Sequence, residues 1–489
     1  MNKRLALFAA LALLPAAAHA AISDAERAAI TRDVDGRAPV LAETAKAIWG
    51  FAEVGYQESR SSALLQKQLQ AAGFTVTPGV AGMPTAFVAS YKSANFQKGG
   101  GPVIAILAEY DALPGLAQTA SPARSVIPNQ VAGHACGHNV FGAASVTAAI
   151  AVRDWMKANG VGGEIRVYGT PAEEGGSGKV YLVRAGLFDD VSATLHWHPG
   201  DGNGVSVGKS QANISGKFRF HGLSAHASAA PDKGRSALDG VEIMNVATNY
   251  LREHIPAGTR IHYVTTNGGE APNVVPDFAE AYYYVRHTDP AIVKSVMERV
   301  KKAAEGAAIA TGTTVDFEAT GGVYSMLGND TLADVMHRNL AAVGGVTWSA
   351  EESRWADAIA PTLPTKRPLA SVAEVRPISG GDGGGSTDVS DISWVSPTVG
   401  MSAATWVPGT PAHSWQAVAA SGMSIGAKGG VVAAKALALT AADLLRSPEV
   451  LAAAKAELLQ KRGSDFRYQA MVGDRAPPLD YRKPMAPNP

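Results

Sequence analysis

The sequence predicts an α/β protein, with a mostly parallel-sheet catalytic domain and an inserted, smaller domain of ferredoxin-like type. Three observations carry that expectation. Val103–Ala108, Glu164–Gly169 and Ala193–Pro199 read as strands buried on both faces, and they alternate with helical stretches. Each run ends in polar, chemistry-bearing residues, at the strand ends where open parallel sheets bind ligands. From about residue 211 the rhythm changes to βαββαβ, the ferredoxin-like order.

Taken in order, the chain opens with basic Lys3-Arg4, an apolar run from Leu5 to Leu14, and Ala18-His19-Ala20. That is the pattern of a secretory signal peptide over 1–20, cleaved after Ala20. The apolar run is too short to cross a bilayer, which takes about 20 residues. Residue 21, directly after the cleavage site, is alanine and not cysteine, so no lipid anchor is expected. The mature protein is expected to be periplasmic or secreted.

Residues 22–75 read as helical, with Ser23-Asp-Ala-Glu26 as a cap and Leu64, Leu65 and Leu69 at helical spacing. Strands are expected at 74–77 and 85–90, then at Val103–Ala108, followed by Glu109-Tyr110-Asp111. Phe141–Asn159 is Ala-rich and helical, stopped by Gly160. The strand at 164–169 runs into Pro171-Ala-Glu173-Glu174-Gly-Gly, and the one at 193–199 carries His196 and His198. The catalytic domain therefore spans 21–210 and resumes at 323–473, around a small domain at 211–322. In the small domain, strands at 214–220, 260–266, 278–287 and 313–319 surround helices at 234–253 and 290–311. The returning chain holds a helix at 330–343, a Pro/Gly-rich loop at 361–385, a strand near 398–405 and a long helix at about 422–446. The proline-rich tail, 474–489, is expected to be poorly ordered.

Composition excludes several partners. With 43 acidic against 43 basic residues and no basic run, neither nucleic acid nor an anionic membrane surface is favoured. The chain has a single cysteine, Cys136, so no intramolecular disulfide can form. A free cysteine is most often a buried small hydrophobe. In His134-Ala-Cys136-Gly-His138, however, a thiol stands between two imidazoles, and these are the side chains that bind zinc-like ions most readily. Further ligands must come from elsewhere, and Glu173, Glu174, His196, His198 and the distant His413 are the candidates at strand ends. Adjacent carboxylates beside a buried strand are costly unless a cation faces them, although a solvated pair at a helix start is the plainer alternative. Neighbouring side chains of an extended segment point opposite ways. One glutamate could therefore bind metal while the other acts as a general base.

His134-Ala-Cys-Gly-His138, Pro171-Ala-Glu-Glu-Gly-Gly, His198-Pro199, Gly222-Leu-Ser-Ala-His226-Ala and Gly409-Thr-Pro-Ala-His413 together resemble the amidohydrolase branch of the M20 metallopeptidases. The resemblance runs from about Ile48 to Leu445, and five motifs in the right order make it specific. It implies two divalent metal ions per subunit, zinc or manganese with cobalt as a further option. The implied ligands are Cys136 (as a bridging thiolate), His138, Glu174, His198 and His413. His198 is preferred to His196 because near relatives read Trp-His-Pro. Glu173 is implied as the general base. His226 is implied to reach across a homodimer and polarise the scissile carbonyl, while Asn273 and Arg286 hold the substrate's free carboxylate. Asp111 is expected to support a ligand, Asp388 to line the pocket or cap a helix, and His134 to be structural. The implied substrate is a small amide that yields a free amino acid: an N-acyl- or aryl-amino acid such as p-aminobenzoyl-glutamate, or a dipeptide. A non-catalytic binding protein on the same scaffold would have no use for a base at Glu173.

Overall fold

A computed structural model describes residues 22–94, 96 and 101–482. The leader expected at 1–20 and the end of the tail lie outside the described residues.

The larger domain is built on a seven-stranded sheet. Its centre is four parallel strands, in the order Glu164–Gly169, Val103–Ala108, Ala193–Gly200 and Thr398–Ala404. Phe87–Lys92, followed by Thr75–Pro78, extends one side antiparallel, and Gly204–Ser206 closes the other. Every residue of Val103–Ala108 is buried, which is why that run shows no polar alternation. This strand lies between the two that follow it in sequence, so the chain crosses to one side of it and then to the other. Such a reversal leaves a crevice at the carboxyl ends, and the site occupies it.

Three helices, Asp24–Phe51, His138–Asn159 and Ser424–Arg446, pack together against the sheet. The last two are apolar nearly all round, as core helices should be. Ser424–Arg446 is long and apolar enough to cross a membrane, but most of it is buried inside the protein. The alanine-rich stretch expected as one helix from about 422 is preceded by a separate short helix, Trp415–Ser421, capped by the Ser414 side chain. Capping-box residues Ser23 and Glu26 start the first helix.

The inserted domain is a four-stranded antiparallel sheet, in the order Arg260–Asn267, Phe278–His287, Ala212–His221 and Thr314–Val323. Helices Ala237–Leu251 and Pro290–Thr311 cover one face and bury Phe218, Phe220, Ala281, Tyr283 and Val285. Residues of opposite parity, among them Asn213, Ser215, Tyr282, Tyr284 and Arg286, lie on the other face.

The tail departs from expectation. Instead of being loose, its described part, 474–482, continues from 466–473 as a strap across the two domains. Met471 enters the small domain's core, and Arg475 donates to the carbonyls of Ala319 (3.0 Å) and Thr320 (2.8 Å). Tyr481 packs edge-on against Tyr56. Proline content signals a lack of helix or sheet; it does not preclude side-chain anchoring.

Candidate metal centre

Four segments bring ligating atoms to the carboxyl edge of the sheet. Cys136 and His138 sit where the chain enters helix His138–Asn159, after a turn through Gly137 at φ 74°. A Cβ at Gly137 would run into Pro199. Glu173 and Glu174 follow strand Glu164–Gly169, in a tight loop where Ala172 has φ 59°. Buried Glu58 holds that left-handed turn, accepting from the Ala172 N–H at 2.9 Å and from the Thr85 hydroxyl at 2.9 Å. His198 lies near the end of its strand, and His413 is anchored by its own N–H to the Ala135 carbonyl at 3.0 Å.

These residues form overlapping ligand groups. Cys136, His138 and His198 offer atoms within 4.8 Å of one another, as do Cys136, Glu174 and His413, and also His138, Glu173 and Glu174. Cys136 Sγ is common to the first two groups and lies 3.4 Å from His198 Nε2. His196 belongs to none of them. Its ring lies against Gly400, where a Cβ would collide with it.

The hydrogen bonds around the cluster leave atoms that need a cation. Asp111 accepts from His138 Nδ1 at 2.8 Å through Oδ1 and from the Glu174 N–H at 2.9 Å through Oδ2. One carboxylate thus orients a ligand imidazole and a ligand loop together. With its proton on Nδ1, His138 presents a lone pair at Nε2, which faces Glu109 Oε2 at 3.1 Å. His138 Nε2, Glu109 Oε2 and Glu174 Oε1 are all buried without a hydrogen-bond partner. Lone pair against lone pair in a dry site is repulsive unless a proton or metal ion intervenes. The donor set of thiol, imidazole and carboxylate suits a divalent transition metal.

Charge states point the same way. Burial pushes the Cys136 thiol up, so a thiolate there requires a neighbouring cation. Burial works against a charge on His138, but Asp111 and Glu109 outweigh it and raise its pKa. Burial lowers His198. Burial, reinforced by Glu174, holds Glu173 well above the usual carboxylate range. The Glu174 carboxylate, whose Oε1 lies 3.2 Å from His413 Nε2, raises the pKa of His413.

Sequence reasoning missed four contributors. Glu109 extends the cluster, and fully buried Lys179 joins Glu109 Oε1 (2.7 Å) to Asp388 Oδ1 (2.7 Å). The signal for Glu109 was its place at the end of a fully buried strand beside Asp111. Tyr481 (3.0 Å) and Arg482 (2.7 Å) both donate to the Glu174 carbonyl, and nothing in the local sequence of the tail announced this. Asp388 occupies the N-cap position of a short helix, Val389–Ser393, yet does not bond to it. It accepts instead from the main-chain N–H of Lys179, in the first turn of helix Gly178–Arg184, and from the Lys179 ammonium. It also borders a cavity of about 200 Å³ shared by Glu173, Glu174 and the Tyr282/Tyr284 face of the small domain. His134 is buried, bonds to the Ile48 carbonyl at 3.0 Å, and lies outside the ligand groups.

The small-domain residues do not join the cluster within one chain. His226 and Asn273 lie on exposed loops that meet through a bridge between His226 and Val274. His226 Nδ1 accepts from the N–H groups of Ser228 (3.2 Å) and Ala229 (3.1 Å), which leaves the ring proton on outward-facing Nε2. The Arg286 guanidinium stacks on Tyr284 at 5.1 Å, and its buried Nε has no partner.

Comparison with known proteins places this geometry in a family. Residues 210–311 match the peptidase dimerisation domain of M20 proteins. One of the subunits of p-aminobenzoyl-glutamate hydrolase from Escherichia coli is 41% identical over 82% of this chain and 88% of its own length. The chain belongs to the M20 peptidase family. Xaa-Arg dipeptidase from Mus musculus is 29% identical over 87% of this chain and 90% of its own. A dinuclear metal-binding M20 peptidase from Bacillus subtilis shares the fold, with a TM-score of 0.57 at 19% identity over 84% of this chain and 99% of its own. This M20 protein is thus a hydrolase of amide bonds, and its cluster of thiol, imidazole and carboxylate groups is suited to hold divalent metal.

Proposed function

We propose that this M20 protein is an exported, dinuclear amidohydrolase. It would release a free amino acid from an N-acyl- or aryl-amino acid such as p-aminobenzoyl-glutamate, or from a dipeptide. The observation that carries the reading is the sharing of Cys136 Sγ between two separate ligand groups. A thiolate common to both groups would let the two ions sit side by side. Cys136, His138 and His198 would hold one ion, and Cys136, Glu174 and His413 the other. Zinc or manganese suits the mixed donors, with cobalt also acceptable. When bound, the ions supply Lewis acidity and a water of lowered pKa.

The chain's own residues do the rest. Glu173 borders the same cavity as Cys136, Glu174, His198 and His413 without being needed as a ligand, and its raised pKa suits a group that takes and returns a proton. Asp111 keeps His138 in the tautomer that offers Nε2. His226, with its proton on Nε2, donates to the scissile carbonyl of a second copy. Arg286 and Asn273 take the free carboxylate of the amino-acid half, for which the bidentate fork of Arg286 is suited.

A second copy of this chain is the proposed partner. The matched dimerisation domain supports it, as does the apolar stripe Ile243, Val246 and Tyr250 left exposed on helix Ala237–Leu251. The E. coli relative is named as one subunit of its hydrolase, so mass measurement must separate a homodimer from a mixed assembly. Export rests on the leader pattern alone and predicts a mature N-terminus at Ala21 in the periplasm or medium.

The test is Glu173→Gln in the metal-loaded protein. Metal content should remain at the wild-type level while amide hydrolysis falls about 10²–10⁴-fold. Cys136→Ala should lose metal. Wild-type hydrolysis by Glu173→Gln would sink the mechanism.

A further inference from the structure

Beside the ligand cluster lies a second, larger cavity. It measures about 530 Å³, against about 270 Å³ for the one that holds Cys136 and the glutamate pair. The two share His196, His198, Ser386 and Thr387, so the larger opens onto the cluster from within the catalytic domain. Its volume is in the range of a small-molecule pocket, roughly 300–1,000 Å³. Gly400 helps to keep it open: this residue pairs in register with His196, and no larger side chain leaves room for the imidazole.

The chemistry of the walls is one-sided. Val205, Val207, Met326, Val399 and Met401 supply apolar surface, Lys209 and Arg376 supply positive charge, and no aspartate or glutamate lines the cavity. Neither cation has a carboxylate partner among the described residues. Arg376 Nε donates only to the Asn203 carbonyl, at 3.3 Å. Two acids adjoin the rim, Glu374 and Asp382, but both are exposed, neither lines the cavity and neither pairs with Lys209 or Arg376; Asp201 and Asp330 are engaged by Arg367 (2.9 Å) and Lys461 (2.7 Å). An apolar chamber with an unneutralised cationic rim favours a ligand that is apolar along its length and anionic at its end.

We infer that this cavity seats the acyl half of the substrate and selects an acyl group that ends in a carboxylate. The inference rests on the amidohydrolase reading. With the amino-acid half held on the small-domain side by Arg286, the acyl half must point the other way, past His196 and His198. Its apolar or aromatic body lies on the valines and methionines, and its terminal carboxylate meets Lys209 and Arg376.

Two substrates of nearly equal size decide the matter in the metal-loaded full-length protein: 4-carboxybenzoyl-glutamate and 4-aminobenzoyl-glutamate. The carboxylated one should have a kcat/KM about tenfold higher or more, the scale of one charge-assisted contact. Added salt should shrink the preference, because the cations face solvent. In the Lys209→Ala/Arg376→Ala double variant the two substrates should come within about twofold of each other. Equal kcat/KM in the wild type overturns the inference and leaves the amidohydrolase reading intact. Should neither amide be cleaved, calorimetry with terephthalate and 4-aminobenzoate judges the cavity by itself, and the amidohydrolase reading fails only if a panel of other acyl-amino acids and dipeptides is left intact as well. Tighter terephthalate binding that disappears in the double variant supports the anionic pocket; equal binding refutes it.

Discussion

Asp111→Asn is the most incisive test of the metal centre, because the change is nearly isosteric and its cost can be worked from two hydrogen bonds. Both neighbours of the Asp111 carboxylate are donors: His138 Nδ1–H at 2.8 Å and the Glu174 main-chain N–H at 2.9 Å. An asparagine offers one acceptor and one NH₂ group. Whichever way the amide turns, one of the two donors meets another donor in a buried site. Losing a hydrogen bond to a charged group costs about 1.5–3 kcal/mol. Here it falls either on the orientation of His138 or on the loop that carries Glu174, both proposed as ligands. Loss of such a support typically weakens metal affinity about 10–100-fold, which is about 1.4–2.8 kcal/mol and agrees with the hydrogen-bond figure. Competition against a chromophoric chelator measures the affinity, and circular dichroism confirms the fold. Affinity within twofold of wild type, in a folded variant, would refute the claim that Asp111 organises the centre.

Three further outcomes follow from the same geometry. In the metal-free protein the thiol of Cys136 and the imidazole of His138 are both pushed up, so both carry protons at neutral pH. Bound ligands must shed them, so metal affinity should rise with pH. Calorimetry in buffers of different ionisation enthalpy should register proton release, and a pH-independent affinity would contradict the assignment. Lys179→Met leaves the Glu109 and Asp388 carboxylates buried and uncompensated, and urea unfolding should show a loss of about 3–5 kcal/mol. A loss below about 1 kcal/mol, the level of a surface pair, would mean that the pair is solvated in reality. Replacing Tyr481 by Phe and Arg482 by Ala removes both side-chain donors from the Glu174 carbonyl. At about 1 kcal/mol for the neutral Tyr481 bond and about 1.5 kcal/mol for the charged Arg482 bond, metal affinity should drop by up to roughly 70-fold, with Arg482→Lys restoring part of it. Unchanged affinity would reduce the strap to mere packing.

Much of this protein was legible in its sequence. A strand buried on both faces must be apolar throughout, so Val103–Ala108 announced itself, with Glu109 and Asp111 placed at its end. The helices Pro290–Thr311 and Asp330–Val343 carry caps and periodicity strong enough to read directly, as does the βαββαβ order of the inserted domain. The residue types at strand ends, a lone cysteine between histidines and a pair of glutamates, pointed to metal before any distance was known. These are local properties, and short-range stereochemistry and burial suffice to reveal them.

What sequence could not decide is which of those side chains meet. His196 and His198 lie on the same side of one strand; only the packing of helix His138–Asn159 and its Cys136 turn against that strand brings His198 to the thiol and leaves His196 beside Gly400. Lys179 looks like any surface lysine until Glu109 and Asp388, from segments far apart in the chain, enclose its ammonium. The proline-rich tail had no pattern of its own to read, because its order is borrowed from partners in both domains. His226 sits on an exposed loop, outside the ligand groups of its own chain. Charge pairing and hydrogen bonding act over a few ångströms of space whatever the separation along the chain, so these choices belong to the tertiary structure alone.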